Sequence, residues 1–142
     1  MSMILEILPE PGFLHAKAAG QFSLEDAKKT FMELLDAVAQ RQVKKVLFDG
    51  RELSGEPEPM ERFYYGKFAA GAVVRSATPG VSPATQFAFV LKEPVLDPEK
   101  FGETVAVNRG MLVRAFETPG EALQWLGVAP ANGPRAGDGK PA

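Results

Sequence analysis

The sequence predicts one α/β domain: a mixed five-stranded sheet with four helices in the order β-β-α-β-α-β-α-β-α. Three observations carry this. Two short apolar segments meet across the turn Pro9-Glu10-Pro11-Gly12, which reads as an opening antiparallel pair. Val46-Leu47-Phe48 and Phe87-Ala88-Phe89-Val90-Leu91 are apolar without alternation, as in strands covered on both faces. Helix-start signals precede helically spaced apolar residues between the later strands. A chain of 142 residues, 45% hydrophobic and 24% charged, has the size and composition of one domain with its own core.

The elements follow in order. Residues 3–8 and 13–19 form the opening pair, the second placing Phe13, His15 and Lys17 on one face and Leu14, Ala16 and Ala18 on the other. Ser23, three residues ahead of Asp26, starts a helix in which Leu24, Ala27, Phe31, Leu34, Leu35 and Val38 share a face. Residues 44–49 make a central strand, followed by a loop holding Gly50, Gly55, Pro57 and Pro59. Residues 60–74 form the second helix, with Met60, Tyr64, Phe68, Gly71 and Val74 on one face and a second apolar side of Phe63, Ala69, Ala70, Ala72 and Val73.

Residues 76–85 are a loop by composition, and 86–92 enclose the second central strand. Asp97-Pro98 opens a third helix that Gly110 ends. The last strand is 111–117, and Thr118-Pro119-Gly120-Glu121 opens a short final helix through Trp125 and Leu126. The domain is expected over 1–128, and 129–142, rich in Pro, Gly and Ala, is expected to be a disordered tail.

Composition excludes several chemistries. There is no cysteine, hence no disulfide, thiolate zinc site or cysteine nucleophile, and the single histidine, His15, cannot form a paired-histidine metal site. No metal or cofactor is expected. A net charge of -2 from scattered residues points to no nucleic acid, and no stretch suits a signal peptide or a bilayer span, so a cytoplasmic protein without an integral membrane segment is expected. Neither a Gly-x-Ser-x-Gly elbow nor a phosphate-binding Gly-x(4)-Gly-Lys loop occurs; Gly66-x(4)-Gly71 lacks the lysine and lies within a helix.

The strand end Leu47-Phe48-Asp49-Gly50-Arg51, the apolar run to Leu91 and the ending Phe116-Glu117-Thr118-Pro119-Gly120-Glu121-Ala122-Leu123-Gln124-Trp125-Leu126 resemble the SpoIIAA-like branch of the STAS (sulfate transporter and anti-sigma factor antagonist) family, which is related to lipid-binding Sec14-type domains. The resemblance implies a non-catalytic regulatory or protein-interaction domain, or a carrier of a small apolar molecule or lipid. Anti-sigma factor antagonists of this fold carry Asp-Ser-Ser-Gly with a phosphate-accepting serine. Here Glu52-Leu53-Ser54-Gly55 puts leucine at that position, so the switch is expected to be absent, with Ser54 only a candidate for modification.

Parallel strands all end on one edge of such a sheet, where open α/β sheets bind ligands. That edge and the adjoining helix supply the candidates for a ligand or partner: Asp49, Arg51, Glu52, Ser54, Arg62, Tyr64, Tyr65 and Lys92. Asp49 and Arg51 can instead pair with each other or cap nearby backbone. An enzyme using Asp49 as base beside Arg51 or Lys92 is chemically conceivable but has no motif behind it. The two-sided apolar helix must lie under the chain's own loop, a second copy or a lipid. Met60, Phe63, Phe68, Gly71 and Val74 are the interface candidates, favouring a homodimer or another protein partner over a pocket for a small apolar ligand.

Overall fold

Gly12, at φ 84°, lets Pro11-Gly12 reverse the chain in two residues, so that β1 (Ile4–Glu10) returns antiparallel along β2 (Phe13–Gln21) with Glu10 opposite Phe13. The structure, a computed structural model, describes residues 3–75 and 78–128. The tail expected at 129–142 lies outside the described residues, as do Ser76 and Ala77 of the expected loop. Ser23 caps α1 (Leu24–Arg41) by accepting the Asp26 N–H. β3 (Lys45–Ser54), α2 (Pro59–Val74), β4 (Gln86–Val90), α3 (Phe101–Asn108), β5 (Leu112–Phe116) and α4 (Pro119–Leu126) follow. The final helix is capped by Thr118, whose hydroxyl accepts the Glu121 N–H.

The five strands lie side by side in chain order, with β1 and β2 antiparallel and every later neighbour parallel. Each parallel step needs a crossover, which α1, α2 and α3 provide. All three pack on one face, where Phe31, Leu34, Leu35 and Val38 of α1, Ala69 and Val73 of α2 and Ala106 of α3 meet Leu14, Ala16, Val46, Phe48, Phe87 and Phe89 of the sheet. Among the described residues the opposite face receives only α4, whose Ala122 and Leu126 cover Phe13, Leu47, Ala88 and Val90. Phe31, Leu34, Leu35 and Phe87 are fully buried, each worth roughly 1.5–3 kcal/mol relative to exposure.

The expected fold class is the observed one, and several boundaries differ by a few residues, three of them as follows. β1 runs on through Pro9 and Glu10 because the turn needs only two residues and an edge strand tolerates proline. β3 continues to Ser54 instead of ending at Asp49, because the end of β2 pairs with it: Ala19, Gly20 and Gln21 stand opposite Glu52, Leu53 and Ser54 after a bulge past Lys17. α3 begins at Phe101 rather than beside Pro98, because Lys100 takes a left-handed conformation at φ 55° and separates the Asp97 turn from the helix; Asp97 Oδ2 still accepts the Phe101 N–H at 2.9 Å and Oδ1 the Glu99 N–H at 3.1 Å. Among the described residues no helix is long and apolar enough to cross a membrane.

Candidate functional site

Small residues on α2 and α3 leave space where those helices cross the ends of β3, β4 and β5. Gly66 and Ala69 of α2, Gly102 and Ala106 of α3, and Phe48, Phe89, Leu91 and Val113 of the sheet line a cavity of about 140 Å³, with Tyr65 in its wall. Protein cores hold few voids larger than a water, so a space of this size between helices and sheet stands out. Its walls are held apart. A Cβ on Gly66 would stand 2.6 Å from the Gly102 carbonyl oxygen, so the α2 and α3 backbones already touch and cannot close further. Arg62 donates from Nη1 to the Val95 carbonyl and from Nη2 to the Pro94 carbonyl, both at 2.8 Å, fixing the segment before α3.

Two more side chains tie α3 to β5. Glu103 Oε1 accepts the Ala115 N–H at 2.8 Å, and Lys100 Nζ donates to the Ala115 carbonyl at 3.3 Å. β5 is an edge strand, and these bonds satisfy an outward-facing peptide that would otherwise be open to another strand. Burial alone pushes the Tyr65 phenol pKa up, with no hydrogen bond or charge to offset it.

Asp49 and Arg51 lie on the other side of the sheet. Strand residues alternate faces, so Phe48 faces the cavity and Asp49 faces away from it. Arg51 grips Asp49 with Nε to Oδ1 at 2.9 Å and Nη2 to Oδ2 at 2.8 Å, while its own N–H reaches Oδ1 at 3.2 Å. Asp49 is 6% exposed. Burial pulls its pKa upward, but the side-chain and backbone hydrogen bonds and the charge of Arg51 outweigh it, and the carboxyl ends below its ordinary value. Lys17 stands opposite Asp49 on β2, and His15 Nδ1 lies 3.7 Å from Glu10 Oε2 with its buried Nε2 unpartnered.

The structure thus divides the expected crevice. Arg62 and Tyr65 belong to the cavity; Asp49 and Arg51 form a closed pair on the opposite face. Ser54 closes β3 by donating to Gln21 Oε1 at 3.1 Å across the strand pair. Glu52, Tyr64 and Lys92 are exposed. Among the interface candidates Met60 is exposed, while Phe63, Phe68, Gly71 and Val74 are half-buried, partly by the flanking helices α1 and α3. Lys28 lies over the Phe68 ring and Arg109 over the Phe63 ring. Lys100, Gly102 and Glu103, which complete the cavity frame, escaped the sequence reading. Their only signal was a glycine and a carboxylate early in a short apolar helix.

Among the described residues no three His, Asp or Glu side chains cluster as metal ligands. No protein-family model matches the chain, and no curated protein matches its sequence. Its fold matches an anti-sigma factor antagonist from Mycobacterium paratuberculosis with a TM-score of 0.57 at 12% identity, over 88% of this chain and 94% of that one. An uncharacterized protein with a SpoIIAA-like fold from Shewanella loihica PV-4 matches with a TM-score of 0.49 at 19% identity, over 88% of this chain and 93% of that one. The chain therefore has the SpoIIAA-like, STAS-type fold.

Proposed function

We propose that this chain is a non-catalytic STAS-like domain that works by binding, as a regulatory or protein-interaction module whose pathway is unassigned. One observation carries the reading. Of the six large apolar side chains exposed among the described residues, Ile4, Met60, Tyr64, Phe101, Val107 and Leu112, four stand on the neighbouring helices α2 and α3. Exposed apolar surface gathered on one layer suits a protein partner, and a second copy is the simplest one. The structural neighbour described as an anti-sigma factor antagonist supports a regulatory role. In the sequence Leu53 stands where the family resemblance would place a phosphate-accepting serine, and it lines the cavity, so we read the domain as working without that switch. Asp49, neutralised by Arg51, is poorly placed to act as a free base, which further disfavours an enzyme. The absence of a helix fit to span a bilayer among the described residues accords with a cytoplasmic location. Sedimentation of the wild-type chain beside a Met60→Glu variant tests the reading.

The cavity under α2 favours a second reading, a carrier or sensor of a small molecule. An apolar space between a helix and a sheet, at the end where parallel strands finish, is where open α/β sheets place ligands.

A further inference from the structure

We infer that the cavity between α2, α3 and the sheet takes a small, neutral, aromatic molecule of about benzene to indole size, and takes neither a lipid acyl chain nor an anion. This rests on the second reading above and specifies the ligand that reading requires. Size comes first. The space is about 140 Å³, close to the roughly 150 Å³ of an engineered apolar cavity that stays dry and admits benzene. It holds a single ring or a fused pair, whereas a membrane lipid's chain would leave most of its length outside.

Charge comes second. Four charged side chains border the space, and each is committed to backbone. Arg62 is held by the Pro94 and Val95 carbonyls, Lys100 by the Ala115 carbonyl, Glu103 by the Ala115 N–H, and Asp97 by the Glu99 and Phe101 N–H groups. With two cations and two carboxylates at its border the space has no net charge to draw an ion, and an ionised ligand entering its apolar interior would lose water, which is unfavourable. Tyr65, half-buried, is the lining residue that brings a side-chain hydroxyl to the wall. One oxygen or ring N–H on the ligand would satisfy it.

Shape comes third. Phe48 and Phe89 lie with ring centroids 4.7 Å apart and planes tilted by 33°, and the Tyr65 ring meets Phe31 edge-on at 6.0 Å. Such walls offer ring faces and edges to an aromatic guest. The frame of Gly66 against Gly102, with the bonds of Arg62, Lys100 and Glu103, keeps the space open before anything binds. Little reorganisation then opposes entry.

Titration of the full chain with indole, phenol, toluene and decanoate, followed by amide and methyl NMR, tests this. Indole, phenol and toluene are expected to saturate with Kd of about 0.1–1 mM, as befits ligands of so few atoms, moving Ala69, Leu91, Ala106 and Val113. Decanoate should leave those signals in place. Tyr65→Phe should weaken phenol and indole by about fivefold, around 1 kcal/mol, and spare toluene. Ala69→Leu, which fills the space, should weaken all three by at least about tenfold. Xenon pressure on the wild-type chain, which needs no variant to fold, should shift the same methyls. Binding of decanoate in preference to the aromatics would overturn the ligand class while leaving a ligand site in place. If neither xenon nor any aromatic moved those methyls, the cavity reading itself would fall.

Discussion

Arg51 holds the carboxylate of Asp49, two residues back on the same strand, through two side-chain bonds of 2.9 and 2.8 Å. The carboxylate is buried while the guanidinium is 43% exposed in its side chain, so solvent screens one partner but hardly the other. The pair matters mainly because Asp49 would otherwise be a charge out of water. Arg51→Met should therefore destabilise the fold by about 1–3 kcal/mol at neutral pH, the cost of stranding a buried charged acceptor. Urea unfolding measures it, and loss of less than half a kilocalorie would show the pair to be idle.

The same pair sets a pH dependence with a definite sign. The folded-state pKa of Asp49 lies below its ordinary 3.8, so its stabilisation is complete above that value and is lost as pH falls through the lowered native one. In Arg51→Met the guanidinium is lost while burial, the residue-51 N–H bond and the charge of His15 remain, so the Asp49 pKa should rise above the wild-type value and the acid-side slope from this residue should weaken. Carboxyl-detected NMR of Asp49 in both proteins reads the two pKa values directly. A wild-type value at or above the variant's would contradict the arrangement.

Two glycines five residues apart on α2 should behave oppositely. A Cβ on Gly66 would meet the Gly102 carbonyl oxygen at 2.6 Å, whereas one on Gly71 would meet nothing within 4 Å. Gly66→Ala should cost about 1–3 kcal/mol through overpacking, exceeding the gain of roughly 1 kcal/mol in helix propensity. Gly71→Ala should keep that gain. Thermal melts decide between them, and equal shifts of the two variants would show that α2 and α3 do not touch at Gly66.

Much of this fold was legible because its signals are local. Ser23 and Thr118 announce their helices within three residues of themselves, and both cap as their spacing implies. The apolar run at 87–91 needed no partner to be read as a covered strand. What stayed hidden depends on pairs far apart in the chain. Arg51 to Ser54 look like loop until the end of β2 is laid beside them. Asp49, Arg51, Arg62 and Tyr65 are close in sequence, yet strand alternation sends the first two to one face of the sheet while α2 carries the others to the opposite face. The cavity left no periodic trace at all. It is a deficit of volume shared by Gly66, Ala69, Gly102 and Ala106 against Phe48 and Phe89, held open in part by the contact of two helix backbones 36 residues apart.

The edge strand supplies a further prediction. Glu103 accepts the Ala115 N–H, so Glu103→Ala should cost about 1–2 kcal/mol and speed exchange of that amide, while Glu103→Gln, which keeps an acceptor, should be close to neutral. Hydrogen exchange at Ala115 separates the two. Equal protection in all three proteins would mean that the bond does not guard this edge.

The claim that the domain works through contact at its α2–α3 layer meets its most direct test in sedimentation velocity, run from low micromolar to several hundred micromolar protein. Met60 is 58% exposed at the head of α2, where a charge should oppose any apolar association without disturbing the monomer. The wild-type chain is expected to shift from monomer to dimer across the series, and Met60→Glu to remain monomeric with an unchanged melting temperature. A wild-type chain that stays monomeric throughout, or a variant that associates as readily, would contradict the account.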